Sequence, residues 1–214
     1  GIDAALLYRP DLFKPLSSKF IKVIGKKGRG QLRTRDIVYT KGVLAKTDTV
    51  HIFINHWPSR LGGELKSEQK RMFAAAVMRA QVDSILKQNS RSSIVVMGDF
   101  NDDPVNVSLT KHLGAVGDKK ELSEERPYYN LMYKMFKSGV ASLGYRDAPN
   151  LFDQIIVSKN ALSDTLQKNY SVYKAEVFAP SYLITPDGQY KGYPYRSWAG
   201  DTFTGGYSDH FPSL

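Results

Sequence analysis

The sequence predicts an α/β fold in which β-sheets pack face to face with helices on the outside, and three observations lead there. Short runs of branched and aromatic residues outnumber the helical patterns. The few helical periods fall between such runs, as peripheral elements do. The opening runs also follow one another too closely for helical crossovers, which disfavours the alternative of a doubly wound parallel sheet. With 214 residues and 42% hydrophobic content, the chain is long enough for one large domain with a real core.

The first strand-like run is Ile2-Asp3-Ala4-Ala5-Leu6-Leu7-Tyr8, followed by Ile37-Val38-Tyr39, Val43-Leu44-Ala45 and Val50-His51-Ile52-Phe53-Ile54-Asn55. Asp3 to Arg9 and Asp36 to Phe53 read as neighbouring strands of one sheet. After Gly62-Gly63 the period changes. Phe73, Ala76, Val77 and Ala80 fall at i, i+3, i+4 and i+7, which predicts a helix from about Ser67 to Gln88 with Ser67 as its cap.

Ser93 to Met97 is a continuous apolar strand, stopped by the turn-rich Gly98 to Pro104. A short helix over Val105 to Leu113 and a surface excursion over Gly114 to Pro127 follow. Leu151 to Val157 reads as a strand, Asn160 to Leu166 as a short helix or turn, and Ser171 to Phe178 as another strand. Pro180 to Gly206, rich in Pro, Gly, Tyr and Trp, reads as a long ordered loop beside a site. No repeat or linker divides the chain, so residues 1–214 are expected to form a single domain. Because it opens at Gly1 directly into a strand-like run, that domain is expected to be truncated at its N-terminus.

Composition narrows the chemistry. Thirty Lys and Arg against 21 acidic residues give a net charge of +9, either a field that would draw phosphate-bearing molecules or an excess that only aids solubility. There is no cysteine, which excludes disulfides, zinc-thiolate sites and a thiol nucleophile. No apolar run approaches the roughly 20 residues needed to cross a bilayer. The compartment stays open.

Three polar clusters carry the chemistry: Gly98-Asp99-Phe100-Asn101, Asp153 within Leu151-Phe152-Asp153-Gln154-Ile155-Ile156-Val157, and Ser208-Asp209-His210. Asp99 and Asn101 leave a strand into a turn with both polar side chains able to face a site. Asp99 could orient a water and Asn101 could donate its amide to a phosphate oxygen; the simpler alternative is a turn that only ends the strand. Asp153 lies in an apolar pattern where an unpaired charge is costly, so it needs an imidazole or an arginine as partner. His210 supplies an imidazole. His56, in Asn55-His56-Trp57-Pro58-Ser59-Arg60, either completes a candidate site of two histidines and three aspartates or is a core histidine hydrogen-bonded to backbone. Arg60 could clamp a phosphate or lie in a solvated loop, and Trp198, Phe203 and Tyr207 could stack on a base or sugar or pack their loop down.

The order Asn-His-Trp-Pro-Ser, Gly-Asp-Phe-Asn, Phe-Asp-Gln-Ile-Ile-Val-Ser and Ser-Asp-His-Phe-Pro resembles the endonuclease/exonuclease/phosphatase superfamily. That resemblance implies a DNase I-like four-layered α/β sandwich of two packed, mainly antiparallel sheets flanked by helices, here without its N-terminal strands. It implies hydrolysis of a phosphodiester or phosphomonoester with Mg²⁺ or Mn²⁺. The substrate would be a nucleic acid, a phospholipid headgroup or a sugar or inositol phosphate. A non-catalytic binding module on the same fold is the alternative.

Carried over by motif, Asp99 would orient or activate the attacking water and Asn101 would hold a phosphate oxygen. Asp153 would fix His210, which would act on the water or the scissile phosphate. His56 would hydrogen-bond the phosphate and Asp209 would help hold the metal, with Asn55, Arg60 and Trp198 as substrate-binding residues. The principal metal-binding glutamate of the family has no counterpart, because Glu64 and Glu68 follow the first histidine motif and are out of order. A sandwich lacking strands exposes an edge, so self-association through that edge is a further expectation.

Overall fold

The computed structural model describes residues 4–27, 30–145, 148–162 and 170–214. The strands in chain order are β1 (Phe13–Ile21), β2 (Ile24–Lys27), β3 (Gly30–Arg33), β4 (Ile37–Leu44), β5 (Asp48–His56), β6 (Ser93–Asp99), β7 (Ala115–Val116), β8 (Tyr128–Asn130), β9 (Leu143–Tyr145), β10 (Ala148–Asn150), β11 (Asp153–Ser158), β12 (Trp198–Ala199) and β13 (Thr202–Phe203). The helices are α1 (Glu64–Gln88) and the short α2 (Tyr133–Lys137), with a π-helical turn over Ser108–Leu113.

Seven strands form one sheet in the order β1-β4-β5-β6-β11-β8-β7, and the remaining strands make three two-stranded pieces. β5 runs parallel to β6, with α1 as the crossover between them, and β6 pairs antiparallel with β11. This is an α/β fold built on one large mixed sheet with few helices.

α1 lies across one face of the sheet. Its buried stripe of Ala74, Ala75, Met78 and Val82 packs with Phe53, Ile94, Val96 and Ile156, which alternate inward along three neighbouring strands. The small alanines let the helix approach closely. On the opposite face Val38, Ile52, Ile54, Met97 and Ile155 are only partly buried. The helix starts at Glu64, not at Ser67. The Ser67 hydroxyl donates back to the carbonyls of Gly63 and Glu64 and receives a hydrogen bond from Arg71, so it knits the first turn instead of capping it.

Several expected elements differ. Ala4 to Arg9 pairs with no strand; Ile2 and Asp3 lie outside the described residues. Leu7 and Tyr8 are exposed, and Leu12 and Phe13 donate to the Arg9 carbonyl in a turn that delivers the chain into β1. The true neighbour of β4 is β1, whose sequence FKPLSSKFI has little apolar alternation because it is an outer strand exposed over most of its length. Pro15 and the register shift beside it are features an edge tolerates, and with Lys14 and Lys19 they work against addition of another strand.

Ser171 to Phe178 is extended without forming a regular strand; Val177 bridges to Ser213, Val172 N–H donates to the Ala161 carbonyl, and Glu176 and Phe178 bond to the chain's last residues. Within Gly114 to Pro127, Ala115 and Val116 are buried and pair with β8. Of the turn expected at Asn160 to Leu166, residues 163–166 lie outside the described residues. No helix among the described residues is long and apolar enough to cross a membrane.

Candidate active site

The sheet places three of the candidate residues in a row. Its register sets His56, at the end of β5, opposite Asp99 at the end of β6, and Asp99 opposite Asp153 at the start of β11. Gly98 makes this possible. Its φ of 130° suits a residue without a side chain, and a Cβ there would come within 2.0 Å of the Asn55 carbonyl oxygen. Buried Phe100, edge-on to Trp57 at 4.7 Å, anchors the turn that follows.

His210 joins the row from the far end of the chain. Its Nδ1 lies 2.7 Å from Asp153 Oδ2. The segment carrying it is pinned on both sides. Phe211 N–H donates to the Ser142 carbonyl at 2.7 Å, the Ser213 hydroxyl donates to the Asp153 carbonyl at 2.7 Å, and Leu214 exchanges two hydrogen bonds with Glu176.

The two aspartates live in different surroundings. Asp99 Oδ1 accepts from Asn101 N–H at 2.7 Å, and its Oδ2 lies 3.5 Å from His56 Nε2. Burial, with the Asp153 charge adding, pushes the Asp99 pKa up to about 6. Burial alone would push the His210 pKa down, but the hydrogen bond and charge of Asp153, with Asp99 and Asp209 adding, lift it to about 9. His56 moves the other way, lowered by burial and by the charges of Arg35 and His210. At neutral pH the row thus holds an imidazolium at His210, a neutral imidazole at His56 and an ionised Asp99.

Not every candidate faces the site. Asn55 is 2% exposed; its amide points to the carbonyls of Phe53 and Met97 and its oxygen accepts from the Trp57 indole, so its polar atoms hold strand ends together. Arg60 is engaged on every side: Nε donates to the Asn101 carbonyl at 3.0 Å, and the guanidinium meets Glu64, Asp102, Asp103 and Asn106. In this structure its guanidinium is spent on clamping the turn. Asn101, buried with a left-handed φ of 51°, donates its amide to the Trp57 carbonyl and to Asp99 Oδ2. Both amide hydrogens are used, so Asn101 orients Asp99 here and has none to give a phosphate oxygen.

Trp198 sits on the β12/β13 hairpin, exposed, with its ring packed on Phe203 at 5.3 Å. Tyr207 ties that region to Ser208 through hydrogen bonds with Tyr195 and Ser197. Asp209 is exposed, and its charge acts on both histidines.

Sequence reasoning missed two contributors. Arg35 follows no motif, yet it is close enough to donate to the Trp57 carbonyl at 3.4 Å and to shift His56 and Asp99. Ser142 stands in an unremarkable Ala-Ser-Leu stretch, but its hydroxyl donates to Asp153.

Among the described residues no group of three His, Asp or Glu side chains could hold a metal ion. Mg²⁺ asks for a near-octahedral set of oxygens, and exposed Asp209 offers one carboxylate. These residues do not by themselves fit a Mg²⁺ or Mn²⁺ site, and the chemistry below includes no step through a metal.

The chain matches the Endonuclease/Exonuclease/phosphatase family over residues 1–214 and belongs to it. No curated protein sequence matches it. Among solved structures it is similar to TDP2 of D. rerio complexed with a single-stranded DNA product (TM-score 0.57, 11% identity, 96% of this chain and 68% of that one). It is also similar to the mannosyl-6-phosphatase Bt3783 of Bacteroides thetaiotaomicron (0.54, 13%, 96% and 67%) and to truncated Caenorhabditis elegans TDP2 (0.53, 12%, 94% and 64%). At these identities the likeness is one of fold, consistent with the DNase I-like class. The chain spans about two thirds of the length of each of these structures.

Proposed function

We propose that this chain carries the catalytic row of a phosphoesterase, hydrolysing a phosphodiester or phosphomonoester by direct attack of water. The family's range and the neighbours named for DNA-product binding and for a sugar phosphatase support a phosphate ester as the substrate class. The observation that carries the reading is the Asp153–His210 pair set beside Asp99. Neighbouring surroundings push one group toward proton acceptance and the other toward a held positive charge, the separation that acid-base catalysis needs.

In this reading Asp99, held by Asn101, takes a proton from the attacking water. His210, charged and oriented by Asp153 through Nδ1, has its Nε2–H left to donate to a phosphoryl oxygen as negative charge grows on it, and can pass that proton to the leaving oxygen. His56 offers Nε2 to the same phosphate. Nucleic acids, phospholipid headgroups and sugar or inositol phosphates all present the group this row would act on. The divalent ion expected from the family resemblance would need ligands beyond Asp209.

The test is turnover of bis-p-nitrophenyl phosphate and p-nitrophenyl phosphate, extended to DNA, sphingomyelin and inositol phosphates, by the wild type and by His210→Ala. Phosphate-ester hydrolysis that disappears in the variant is expected. Activity equal in both would overturn the assignment, and binding of these compounds without turnover would favour the non-catalytic alternative.

A further inference from the structure

The Asp153 carboxylate does not hold His210 unaided. Its Oδ2, the oxygen that faces the imidazole at 2.7 Å, also accepts the Ser142 hydroxyl at 2.6 Å. Ser142 is fully buried, and each of its polar atoms is hydrogen-bonded to Asp153 or to a segment beside the pair. Its oxygen accepts from Phe152 N–H at 3.2 Å, its carbonyl accepts from Phe211 N–H at 2.7 Å, and its own N–H donates to the Asn150 carbonyl at 2.8 Å. One residue therefore touches the aspartate, the strand start that carries it and the segment that bears the histidine.

We infer that Ser142 is a positioning residue of the candidate active site, its hydroxyl fixing the Asp153 carboxylate so that Oδ2 meets His210 Nδ1. A carboxylate can rotate about its terminal bond over a broad range. A second donor on the same oxygen removes that freedom, and a hydroxyl bound to a carboxylate forms one of the stronger hydrogen bonds. The histidine comes from a stretch with no strand or helix of its own, so its placement depends on the groups it meets. The Ser142 carbonyl sets where the segment docks and the Ser142 hydroxyl sets how the aspartate faces it. Catalysis is sensitive to misplacements of this size, and a loosened imidazole would lower turnover without changing how substrate docks.

This inference deepens the phosphoesterase reading and rests on it for its kinetic arm. The experiment compares Ser142→Ala and Ser142→Thr with the wild type, in steady-state kinetics on bis-p-nitrophenyl phosphate and in NMR spectra of the His210 ring labelled with ¹⁵N. Ser142→Ala keeps the hydrogen bonds of the Ser142 main chain to Asn150 and Phe211, loses the hydroxyl acceptor of Phe152 N–H, and should still fold. It is expected to lower kcat by about 10- to 100-fold with KM within twofold, and to lose the slowly exchanging His210 Nδ1–H signal. Ser142→Thr, which retains a hydroxyl, is expected to keep both; if its extra methyl prevents folding, the alanine variant decides alone. An alanine variant with wild-type kcat and an intact Nδ1–H signal would overturn the inference, as would one whose amide spectrum changes throughout the sheet, which would mark Ser142 as a packing residue. A wild type that turns over no phosphate ester would defeat the phosphoesterase reading, and the ring signal would still decide the role of Ser142.

Discussion

His210 Nδ1 and Asp153 Oδ2 meet at 2.7 Å although 57 residues separate them in sequence. The contact joins an extended terminal segment to the start of a central strand. It gives the imidazole its charge and direction, and much of what the site can do depends on it.

Asp153→Asn should preserve the fold and remove the anion that supports His210. The His210 pKa is expected to fall from about 9 toward its ordinary range, and kcat to drop by about 10²- to 10⁴-fold, as when the acid behind a catalytic histidine is neutralised. NMR titration of the ring beside the kinetics checks both. A ring that still titrates near 9 would show that another group holds it.

The same pair links stability to pH. His210 titrates near 6.5 when unfolded and at about 9 in the fold, so between these values the folded state binds the extra proton and stability falls as pH rises. The contribution, on the order of 3 kcal/mol, is fully present below pH 6.5 and lost as pH passes about 9. Urea unfolding of wild type and His210→Ala should therefore differ most at pH 6 and converge by pH 10. A gap that widens with pH would reverse the assignment.

Asp99 has its pKa raised from 3.8 to about 6, so its stabilising contribution is present below pH 3.8 and lost above about pH 6. At pH 7 its ionised form is held at a cost. Asp99→Asn should unfold at higher urea, by about 1 to 3 kcal/mol, while losing turnover. A variant both inactive and less stable would show that Asn101 and His56 stabilise the carboxylate more than burial penalises it.

The motifs were legible because each puts a polar residue where an apolar run stops, and the sheet register then aligns the ends of those runs. His56, Asp99 and Asp153 were found this way. What the sequence did not reveal depends on partners distant in the chain. Arg60 looks like a free cation in a loop until Asp102, Asp103 and Asn106, more than 40 residues on, fold around it. Asn101 shows its turn conformation in its residue type but not the two acceptors that occupy its amide. Strand β1 escaped because an exposed edge strand needs no alternation, whereas the apolar Ala4 to Tyr8 suggested a strand that tertiary structure does not use.

Buried Arg71 pairs with buried Asp102 at 2.7 Å beneath the active-site turn. Arg71→Ala leaves that carboxylate without its nearest cation and should cost about 3 to 5 kcal/mol, read as a lower urea midpoint. Arg60→Ala should likewise act on stability and kcat more than on KM. A large rise in KM alone would restore Arg60 as a substrate clamp.

Asp209 by itself is a poor Mg²⁺ site, and calorimetry on this chain should show no binding tighter than about millimolar. Micromolar binding would mean that ligands outside the described set converge on it.

The most direct test of the whole account is the pH dependence of kcat/KM on a phosphodiester. With Asp99 as the proton acceptor and His210 as the charged partner, the profile should rise through about pH 6 and fall through about pH 9, and Asp153→Asn should move the alkaline limb to lower pH, with a smaller downward move of the acid limb because the Asp153 charge also raises Asp99. A profile flat from pH 5 to 10, or an alkaline limb that stays in place without Asp153, would contradict the assignment of the reaction to this row.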